Sequence, residues 1–78
     1  MKNITIEISV EVAKTLAQLA DHCTEIDKAS DGLTSHGALT VESLLQMLAN
    51  DASMILTRRG SWEGDRMAAL FASHGYDI

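Results

Sequence analysis

The side chains singled out as able to do chemistry in this sequence are one cysteine, three histidines and the paired carboxylates Glu63 and Asp65. A thiol nucleophile needs a base aimed at it. His22 and Cys23 are neighbours, and on a helix adjacent side chains diverge by about 100°. A metal cage needs several ligands at helical or loop spacing. His22, His36 and His74 never fall three or four residues from one another. Gly32, Gly37, Gly60 and Gly64 lack the spacing of a phosphate-binding loop. Glu63 and Asp65 fit the first turn of a helix, where acids complement the dipole. The residues therefore imply no catalytic group, no metal, no cofactor and no small-molecule substrate. The protein is expected to act by binding.

The elements that position these residues must come from a short chain. The sequence has 78 residues and a formal net charge of −5, from eleven acids against six bases. Such a core seldom stands alone without a staple. A single cysteine excludes an internal disulfide, which leaves oligomerisation as the staple. The expectation is a homodimer. No apolar run reaches the roughly 18 residues of a membrane span, and the start, Met-Lys-Asn-Ile-Thr-Ile-Glu-Ile-Ser, has no apolar signal core. These features, with the free thiol, imply a cytoplasmic protein. The acidic balance argues against a surface that coats nucleic acid.

Periodicity divides the chain into four pieces. Residues 3–9 alternate, with Ile4, Ile6 and Ile8 on one side and Asn3, Thr5, Glu7 and Ser9 on the other. Period two with β-branched residues predicts a strand with one buried face. The sequence offers it no second strand, so its expected partner is the same strand of another copy. Ser9 is suited to cap a helix over about 10–28, whose stripe is Val12, Leu16, Leu19, Cys23 and Ile26. Cys23 on that stripe is expected to be a buried structural thiol. Residues 29–39 read as a loop. Thr40 caps a second helix with an apolar face of Val41, Leu45, Leu48, Ala52 and Ile55, widened by Leu44, Met47 and Leu56. A face that wide suits a shared core, and Ile4, Ile6, Ile8, Leu45, Leu48 and Ile55 are the expected dimer core. Arg58 and Arg59 complement the helix C-terminus, and Gly60 stops it. Ser61 caps a third, short helix, weakened by Gly64 and ended by Gly75. The chain thus reads as a dimerisation domain over 1–60 with a helical extension over 61–78. Its fold class is mostly α with one N-terminal strand.

The segments Ile4-Thr5-Ile6-Glu7-Ile8-Ser9-Val10-Glu11-Val12-Ala13 and Leu39-Thr40-Val41-Glu42-Ser43-Leu44-Leu45, with Leu16 and Leu19, resemble the ribbon–helix–helix superfamily over residues 3 to about 57. That family comprises dimeric repressors and antitoxins whose paired strands read the major groove. The resemblance implies that Asn3, Thr5 and Glu7 face bases and that Lys2 attracts the backbone. It also implies that Thr40 and Val41, at the start of helix two, clamp a phosphate. The sequence departs from the family in its eleven-residue connection, 29–39, and in a ribbon row that holds Glu7 and no Arg or Lys.

The aromatic residues, Trp62, Phe71 and Tyr76, all lie in the last eighteen positions, near Arg58, Arg59 and Arg66. Aromatics and arginines anchor interfaces, so these six residues are expected to meet a partner. The resemblance then implies a DNA-binding transcriptional regulator or an antitoxin, bound to duplex DNA and to a toxin. The alternative expectation is a phage or mobile-element inhibitor, resembling anti-CRISPR proteins, that binds a host nucleoprotein complex. Glu7 and the missing basic row favour the alternative.

Overall fold

The computed structural model describes all residues, Met1–Ile78, and contains three helices. They are α1 (Val10–Ala29), α2 (Val41–Thr57) and α3 (Trp62–Ser73). The chain falls into two units, Met1–Leu44 and Leu45–Ile78.

In the first unit, α1 begins where its cap dictates. Ser9 is extended (φ −66°, ψ 156°), and its hydroxyl accepts from the Val12 N–H at 3.1 Å. That bond satisfies one of the donors every helix start leaves open. The helix ends in a Schellman turn: the Gly32 N–H reaches the Asp27 carbonyl and the Asp31 N–H the Lys28 carbonyl. Asp31, not a glycine, holds the first left-handed position, at φ 56°.

The connection from Ser30 to Thr40 is ordered by side chains of α1. The Thr24 hydroxyl accepts from the Leu39 N–H at 3.0 Å, and the Ala20 and Leu39 carbonyls lie within reach of its proton. Thr34 donates to the Asp27 carboxylate at 2.5 Å and accepts from the Gly37 N–H. Eleven residues without a helical stripe therefore still form a defined loop. At the start of α2, Thr40 and Ser43 cap each other reciprocally, Ser43 N–H to Thr40 hydroxyl at 3.1 Å and Thr40 N–H to Ser43 hydroxyl at 2.8 Å. The buried apolar residues of this unit are Ala20 and Leu44.

In the second unit, Gly60 turns the chain at φ 87°. The Ser61 hydroxyl then caps α3 by accepting from the Gly64 N–H at 3.1 Å. Gly64 is buried, and a Cβ there would lie 2.7 Å from the Met54 carbonyl oxygen. It is a contact residue and not merely a weak helix former. A second Schellman turn, Tyr76 N–H to Phe71 carbonyl and Gly75 N–H to Ala72 carbonyl, closes α3. The buried apolar residue here is Ile55.

The expected N-terminal strand is absent, and with it the ribbon–helix–helix architecture. Residues 1–9 carry no regular secondary structure, and the fold is all-α. The physical reason is that alternation fixes only which way side chains would face. A strand exists when a neighbouring strand takes its backbone groups, and nothing in this chain supplies one. Regular structure starts only at Val10, where the helix can satisfy its own backbone.

Candidate partner-binding surface

The N-terminal segment presents side chains to solvent on both sides. Lys2, Asn3, Thr5 and Glu7 are exposed, and so are Ile4, Ile6 and Ile8. Ile4 retains 79% of its accessible surface, and no ribbon sets Asn3, Thr5 and Glu7 in one reading row. The start of α2 is a poor phosphate clamp. Thr40 N–H and Ser43 N–H already have partners, Val41 is half-buried, and the exposed Glu42 carboxylate sits in the first turn. An anion there would meet a like charge and fewer open donors.

The residues expected in a dimer core separate. Ile55 is buried within the chain, Leu45 is half-buried, and Leu48 remains 40% exposed. Of these three, Leu48 has the most surface left for a partner.

The helical geometry of α3 sorts its anchors. Trp62 and Arg66 stand one turn apart and share a face, which Leu70 continues. All three are exposed, Trp62 at 69%. Phe71 lies about 180° around the helix from Trp62, half-buried on the side of Gly64. Arg58 and Arg59 follow α2 and are exposed, as is Tyr76 beyond α3. The ion pair of the chain joins Lys28 to Glu25 at 3.4 Å, both well exposed, so Arg58, Arg59 and Arg66 form no ion pair. Exposed pairs of that kind contribute about 0–1 kcal/mol.

Sequence reasoning missed the inward face of α1. The half-buried and buried positions are Ala13, Leu16, Ala20, Cys23, Thr24 and Asp27. Val12, Leu19 and Ile26 instead keep 47%, 47% and 61% of their surface. The signal was present in the alanines beside the stripe, which let a helix approach its neighbours closely. Cys23 is free and half-buried, not fully enclosed. On the polar side of α1, Gln18, Asp21, His22 and Glu25 line a surface groove. No group of three or more His, Cys, Asp or Glu residues is placed to hold a metal ion, and no helix is long and apolar enough to cross a membrane.

Charge divides unevenly. Residues 1–44 hold seven acids and three lysines, net −4, while residues 45–78 hold four acids and three arginines, net −1. No protein-family model, curated protein or solved structure matches the chain.

Proposed function

We propose that the protein works by binding another protein, as a self-associating, acidic inhibitor that occupies the basic nucleic-acid channel of a host nucleoprotein complex. The observation that carries this reading is the charge of residues 1–44, net −4, with Glu7, Glu11, Asp21 and Glu25 all exposed. Such a surface complements a cationic channel and repels phosphates. The direct DNA reading has lost its carriers, because Asn3, Thr5 and Glu7 stand in no paired ribbon and the Thr40 cap is self-satisfied.

One observation favours the regulator or antitoxin reading. Arg58, Arg59 and Arg66 are exposed without carboxylate partners and could neutralise phosphates. A single experiment separates the two. The purified protein is titrated against labelled duplex DNA at low salt, and separately against RNA-guided DNA-binding complexes already loaded with guide. The inhibitor reading expects no direct DNA binding and loss of target-DNA capture by one of the complexes. Direct duplex binding that weakens steeply with salt, with every complex unaffected, would replace it with the regulator reading.

A further inference from the structure

We draw no further inference here: the strongest candidate, the exposed surface patch of Trp62, Arg66 and Leu70 along α3, is an unpartnered helix face, and nothing in the structure shows what covers it.

Discussion

At the scale of single residues, three positions matter beyond what their types suggest. Gly64 permits α3 to approach the Met54 carbonyl, where an added Cβ would sit at 2.7 Å. Backbone cannot retreat as a flexible side chain does, so Gly64→Ala is expected to destabilise by about 1–3 kcal/mol, despite the better helix propensity of alanine. Urea unfolding followed by circular dichroism measures this, and an unchanged midpoint would show that the contact relaxes freely. Thr24 ties the 30–40 connection to α1 through Leu39. Thr24→Val keeps the shape and deletes the hydroxyl, leaving the Leu39 N–H without its acceptor, at a cost of about 1–3 kcal/mol. The amide of Leu39 should then exchange with solvent faster than that of Ala13, whose bond to Ser9 is untouched. Asp31 sits at φ 56°, a conformation that costs an L-residue about 1 kcal/mol or more. Asp31→Gly should therefore raise the unfolding midpoint, and a fall would mean that the carboxylate has a stabilising role the backbone does not reveal. None of the three is visible in a pattern of polar and apolar letters, because each depends on where a backbone atom arrives.

At the scale of elements, the helices were legible and the strand was not. Ser9, Thr40 and Ser61 mark helix starts because each places a hydroxyl where an unpaired N–H waits, and all three make that bond. Gly60 and Gly75 mark ends because they accept φ near 90°. These are local events within a few residues, which is why sequence carries them. Residues 3–9 show the limit. Their alternation is as regular as any strand's, but pairing is a property of two segments, and the chain holds one. The apolar stripe of α1 shows a subtler limit. Five residues at the right spacing gave the helix and its amphipathic character, but the inward direction is rotated toward Ala13 and Ala20. The expected partner residues divide likewise, with Trp62 and Arg66 outward and Phe71 turned in. The element-scale prediction follows from residues 1–8 having no regular structure. A chain begun at Ser9 should keep its helical circular dichroism undiminished apart from the change in residue number. Loss of helix on removing 1–8 would mean that this segment supports α1 in a way its exposure denies.

At the scale of the whole molecule, charge decides what the surface can approach. One chain carries a net charge of −5, and a duplex presents one negative charge for about every 1.7 Å of its axis. Attraction would have to come from Arg58, Arg59 and Arg66, against four acids in the same unit. The wild-type protein should therefore leave duplex DNA unshifted at low salt. The double variant Glu7→Lys/Glu11→Lys changes the net charge by four per chain, to −1, and builds a basic N-terminal segment next to Lys2. If bulk repulsion alone keeps DNA away, that variant should acquire weak, sequence-independent binding that disappears as salt rises. In the same variant, capture by a cationic nucleoprotein channel should weaken, because the exposed acids that match the channel have been reversed. The opposite pair of results, DNA binding by the wild type and unaltered channel binding by the variant, would place the working surface on the arginines near α3 and not on the acidic first unit.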